Sequence, residues 1–180
     1  MGQKGPLYIE KVLQDVPSGS LTIVRDAVSG REHSFLRDPF SARTAGRGRI
    51  ETYSVYPGID VAYTLFLADE VTFHHEPLPS VLELFYCRRG RVGWNMRGGT
   101  AVYLGAGDLS AHSAACCGDS AMMFPLGYAE GLLISADLSY LSGHCPEILQ
   151  AAEVDFQKIQ SVFCSGAPAA IPACPELEGI

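Results

Sequence analysis

The sequence predicts a mostly β protein: a β-barrel of antiparallel hairpins followed by short α-helices. Three features predict it. Short runs rich in Val, Tyr, Phe and Thr recur at near-regular spacing between residues 50 and 137, as expected of strands with a buried face. Turns built on glycine separate them, and 19 glycines and 11 prolines supply many chain reversals. Only 18% of residues are charged while 47% are hydrophobic, so 180 residues are enough to bury a proper core and are not a disordered segment.

In chain order, the first 20 residues carry little periodic pattern, with a turn at Pro17-Ser18-Gly19-Ser20, and 21–25 is a first short strand. Residues 26–49 are polar and basic and read as a loose excursion or an irregular strand pair. Strands are expected at 50–56 (IETYSVY) and 61–67 (VAYTLFL), split by the turn Pro57-Gly58-Ile59-Asp60. Next come 81–87 (VLELFYC), a tight connection at Arg88-Arg89-Gly90, and 91–96 (RVGWNM). Arg97-Gly98-Gly99 turns into 100–104, Gly105-Ala106-Gly107-Asp108 into 109–113, and 131–137 (GLLISAD) closes the series. Such hairpins suit a barrel or sandwich. Thereafter Pro146-Glu147 opens a helix. Asp155 caps a second, with Phe156, Ile159, Val162 and Phe163 along one side. Residues 164–174 read as a Pro- and Ala-rich loop, and Pro175-Glu176-Leu177-Glu178 as the opening of a third helix, inside which the sequence stops.

A net charge of −7 repels phosphates, so the chain by itself is a poor nucleic-acid binder. Residues 1–20 mix acids and bases with no apolar core, and no stretch reads as a membrane span. The expectation is therefore a cytoplasmic protein without membrane attachment. The six cysteines lack C-x-x-C spacing and read as reduced thiols.

Four ordered segments carry a resemblance: Phe73-His74-His75-Glu76-Pro77, Tyr86-Cys87-Arg88-Arg89-Gly90-Arg91, Tyr103-Leu104-Gly105-Ala106-Gly107-Asp108-Leu109 and Phe124-Pro125-Leu126-Gly127-Tyr128. Together they resemble the amino-terminal, cupin-like domain of AraC-family transcription regulators. That resemblance implies an N-terminal arm at 1–20, a cupin-like effector-binding barrel at 21–140, and a helical connector and dimerisation element at 141–180. It implies an unknown small-molecule effector and a homodimer. DNA contact would run only through a C-terminal helix-turn-helix domain beyond this chain, which then reads as truncated.

Within the barrel, Glu83, Trp94, Tyr86 and His75 are the candidate ligand-binding residues. Glu83, Phe85 and Cys87 alternate with Leu82, Leu84 and Tyr86, and the pattern does not say which face is inward. No catalytic residue, metal or cofactor is expected. The competing reading is a metal-dependent cupin enzyme, which places two histidines as H-x-H so that both face one ion. Here His74 and His75 are adjacent, Glu76 and Leu78 occupy the paired-histidine positions, and His112 is displaced by two residues from the third ligand's place. A stand-alone metabolite-binding protein is the other alternative. Arg88, Arg89, Arg91 and Arg97 form the basic concentration, an anion anchor or simply exposed turn charges. Cys116-Cys117 has no nearby base to activate a thiol, and Ser113 and Ser120 lack a nucleophile-elbow pattern. The stripe along 156–163 is the candidate for self-association.

Overall fold

The computed structural model describes residues 6–26 and 40–175. The expected class holds: strands dominate, they pair mainly antiparallel, and short helices follow. The strands are β1 (Ser20–Asp26), β2 (Ser41–Arg43), β3 (Arg47–Tyr56), β4 (Ile59–Leu67), β5 (Glu70–His74) and β6 (Val81–Gly90). They continue with β7 (Val92–Asn95), β8 (Ala101–Leu104), β9 (Leu109–Ser113), β10 (Asp119–Met123), β11 (Tyr128–Asp137) and β12 (Ala169–Ile171). One sheet runs β1-β3-β4-β11-β6-β9-β12 and the other β2-β5-β10-β7-β8. Their inner faces share a core in which Phe66, Phe85 and Cys87 from the larger sheet meet Val71, Trp94, Val102 and Met122 from the smaller. The exception to antiparallel pairing is β1, which runs parallel to β3.

Alternation explains the larger sheet. In β4, Asp60, Ala62, Thr64 and Phe66 are buried while Ile59, Val61 and Tyr63 are half-buried, the period of two that strands impose. In β6 both faces are apolar because both are covered: the inner by the second sheet, the outer by helical segments that pack on it. Glu83 shares the inner face with Val81, Phe85 and Cys87, which leaves Tyr86 on the outer one.

Several elements depart from expectation. Residues 1–20 contain α1 (Pro6–Val12), whose Ile9, together with Leu13 and Val16 just beyond it, buries against Leu65 on the outside of β4. Ile9, Leu13 and Val16 are a helical i, i+4, i+7 stripe. Strands β5 and β10 were not expected; they pair with each other. Asp137 ends β11 and caps α2 (Leu138–Gly143), its carboxylate accepting from the N–H groups of Ser139 and Tyr140. The helices at α3 (Glu147–Ala151) and α4 (Phe156–Ile159) fall where Pro146 and Asp155 place them. The loop expected at 164–174 contains β12, which adds to the barrel sheet beside β9. Residues 27–39 of the basic excursion, and the third helix beyond Pro175, lie outside the described residues.

Gly90 ends β6 with φ +91°, and a Cβ there would lie 2.4 Å from the Tyr128 carbonyl oxygen. Gly90→Ala therefore combines left-handed strain with a backbone clash. We expect it to cost about 2–4 kcal/mol, read as a lowered urea midpoint at unchanged slope. A loss below 0.5 kcal/mol would contradict this close approach.

Candidate functional site

Between the sheets lies a cavity of about 330 Å³, at the lower end of the roughly 300–1,000 Å³ typical of small-molecule sites. Its walls are mostly apolar: Ile50, Ala62, Phe66 and Leu133 from one sheet, Trp94 and Met122 from the other. Phe40, Phe73 and His75 also line it; Phe40 packs within 6.2 Å, centroid to centroid, of both Phe73 and His75.

Strand register builds the polar part. Ser135 on β11 lies opposite both Asp60 on β4 and Glu83 on β6. Glu83 in turn lies opposite His112 on β9. Directly opposed residues on neighbouring strands share a face, so Asp60, Ser135, Glu83 and His112 form one row across the inner surface. Ser135 and Glu83 line the cavity. Asp60 accepts from the Ser54 hydroxyl at 2.6 Å. Thr64, another lining residue, donates to the Gly131 carbonyl at 3.2 Å.

Glu83 is 7% exposed. Burial pushes its carboxyl pKa up, but the adjacent His112, with His75 and Cys117 adding to it, holds it below the ordinary value. His112 is fully buried, with Nε2 3.4 Å from Glu83 Oε2. Neither of its ring nitrogens has a hydrogen-bond partner among the described residues. Cys117 follows the 3-10 turn Ala114–Cys116 after β9 and brings its sulfur to the same place. Burial, then the neighbouring Glu83 charge, drives its thiol pKa well above the usual value. One ligand atom from each of Glu83, His112 and Cys117 lies within 4.8 Å of the others.

Of the four candidates read from sequence, Glu83, Trp94 and His75 line this cavity and Tyr86 does not. Tyr86 fails because it alternates with Phe85 and Cys87, which point inward. Trp94 belongs to wall and core at once: its ring stands edge-on to Phe85 and His112, and its N–H donates to the Ser120 hydroxyl at 3.1 Å. It thus turns apolar surface to the cavity with its one polar atom satisfied. His74, the last residue of β5, and His75, just beyond it, take opposite sides: His74 pairs with Asp119 at the surface, while His75 lines the cavity and its Nδ1 donates to the Glu76 carbonyl at 2.8 Å.

The arginine group is not in the cavity. On the sheet's outer face Arg88 and Arg89 both reach Glu130, a carboxylate 1% exposed that also accepts from the Tyr63 hydroxyl. A bulge allows this: Arg89 opposes Glu130 and Cys87 opposes Gly131, so Arg88 is the extra residue. Burial and the Glu130 hydrogen bond raise the Tyr63 pKa far above its ordinary 10. A group raised on folding contributes stability below its unfolded pKa and loses it as pH climbs toward the folded one. Unfolding free energy should therefore fall above about pH 10, and Tyr63→Phe should fall less steeply there. Parallel alkaline curves for the two proteins would contradict the coupling.

Sequence reasoning missed His112, Cys117, Thr64 and Ser135. His112 seemed two residues out of place; the β6–β9 register, invisible to spacing along one strand, sets it directly across from Glu83.

No protein-family model matches the chain, and no curated protein matches it. Solved structures do resemble it. A RmlC-like cupin protein from Desulfovibrio desulfuricans is 12% identical over 51% of this chain and 83% of that one, with a TM-score of 0.42. A cupin-like protein from Thermotoga maritima is 15% identical over 62% and 82%, also with a TM-score of 0.42. An HTH_3-family transcriptional regulator from Vibrio cholerae is 18% identical over 58% of this chain and 55% of that one, with a TM-score of 0.38. No helix among the described residues is long and apolar enough to cross a membrane.

Proposed function

We propose that this chain is an effector-sensing domain of the AraC type, which takes a small molecule into its barrel and passes the signal to a DNA-binding domain outside the chain. The observation that carries the reading is the cavity itself: an apolar hollow between two sheets with a few converging polar groups, which is the composition of a small-molecule site. The four sequence segments that resemble AraC regulators supply the regulatory half of the proposal, and the net charge of −7 supports a separate domain for DNA contact. The effector class that fits has an apolar body for Phe66, Trp94 and Met122 and one polar end for Glu83 and Ser135.

Signal transfer has a physical route in this proposal. Asp137 lines the cavity and also caps α2, so an occupant that contacts its carboxylate competes with the cap and biases the helices that follow. Pairing into a homodimer through the 156–163 stripe belongs to the same proposal. Phe156, Ile159 and Phe163 are half-buried, which leaves Val162, 55% exposed, as the exposed member of the stripe.

Ala62 lies on the cavity wall and is 2% exposed. Ala62→Phe should fill the hollow and abolish effector binding while the protein still melts cooperatively. Melting-temperature shifts across a metabolite library check this: hits on the native chain should disappear in the variant.

A further inference from the structure

The inner wall of the barrel holds a second feature, the cluster of Glu83, His112 and Cys117. Glu83 and Cys117 line the cavity, while His112 stands behind them against the Trp94 ring. A fully buried imidazole with no hydrogen bond at either nitrogen among the described residues is costly to leave so. Here it faces a carboxylate at 3.4 Å, beyond good hydrogen-bond reach but suited to sharing an ion. A tetrahedral zinc with bonds of about 2.0–2.3 Å holds its donors roughly 3.3–3.8 Å apart, and the Glu83–His112 separation falls in that window.

We propose that Glu83, His112 and Cys117 form a binding site for a borderline-soft divalent cation, Zn²⁺ being the best match to one oxygen, one nitrogen and one sulfur donor, with the fourth position open to the cavity. Three protein ligands and one open position is the arrangement of a zinc site that engages a further ligand. The inference deepens the sensing proposal and rests on the same cavity: an effector carrying a lone-pair donor, such as a carboxylate or a thiol, would complete the coordination. On binding, the Cys117 thiol gives its proton to solvent as the metal–sulfur bond forms, and no electron is transferred. The donor set is not the H-x-H pattern, since His74 at the end of β5 and His75 just beyond it face opposite ways and neither joins it. The cysteine comes from the turn after β9.

The test is a Co²⁺ titration of the full chain, kept reduced with a phosphine and free of organic effector, followed by optical absorption. The expected result is one equivalent bound, a sulfur-to-cobalt charge-transfer band, and displacement by Zn²⁺. Cys117→Ser should lose the band and Cys116→Ser should keep it. His112→Gln should weaken binding while its circular dichroism stays native, which separates lost ligation from lost folding. Absence of the band in the native chain, or its survival in Cys117→Ser, overturns the site. A metabolite screen run in chelator distinguishes the two proposals: effectors that bind there without metal uphold the sensing cavity even if cobalt does not bind.

Discussion

Trp94→Ala is expected to destabilise the protein by about 3–5 kcal/mol, the range for truncating a buried tryptophan. Trp94 is 3% exposed and meets Phe85 and His112 of the facing sheet and Ser120 of its own. Its loss removes that bridge and merges its volume with the existing cavity, which the surrounding strands cannot easily close. For a chain of this size the loss corresponds to a fall of roughly 6–20 °C in melting temperature. Ser120→Ala should cost less, about 1–3 kcal/mol, because it leaves the ring packed and orphans only the indole N–H. If Trp94→Ala melts within 2 °C of the native protein, the inter-sheet contact is not what holds the barrel together.

Arg89→Met should be nearly as damaging, at about 3 kcal/mol. Glu130 is 1% exposed and depends on Arg89, Arg88 and Tyr63 for compensation. Removing one partner of a buried pair strands charge in a poorly hydrated place, whereas replacing the whole pair with apolar groups often costs little. The double variant Arg89→Met/Glu130→Leu should therefore regain most of the loss. Denaturant titrations of the singles and the double give the coupling energy. Strict additivity would show that Glu130 does not depend on Arg89. The cluster also touches α1, since Arg89 lies 5.8 Å over the Tyr8 ring, so the same variants should loosen the N-terminal helix.

The strands legible in the sequence were the β-rich runs bounded by turn residues. β1, β3, β4, β6, β7, β8, β9 and β11 came within a few residues of their observed ends for this reason. β10 was invisible because Asp119-Ser120-Ala121-Met122-Met123 has little β propensity and is made a strand by pairing with β5 and β7. β12 is three residues between prolines, made a strand by its pairing with β9. α1 was legible in principle from Ile9, Leu13 and Val16, but a single short stripe beside a turn is easily passed over. The site was half legible. Glu83, Trp94 and His75 lie on the cavity, but Tyr86 could not be separated from them because β6 is buried on both faces. His112 and Cys117 needed the third dimension: cross-strand register and the path of a turn bring them to Glu83, and neither is encoded by local spacing.

Trp94 is the sole tryptophan and stands on the cavity wall, so its fluorescence reports occupancy of the hollow directly. A titration with a thermal-shift hit should perturb Trp94 emission. At a hundredfold excess over its dissociation constant the ligand should add about 2.7 kcal/mol of stability. Both responses should vanish in Ala62→Phe. An effector that binds the cavity-filled variant as tightly as the native chain, with Trp94 emission unmoved in both, would place recognition outside the barrel and contradict the account.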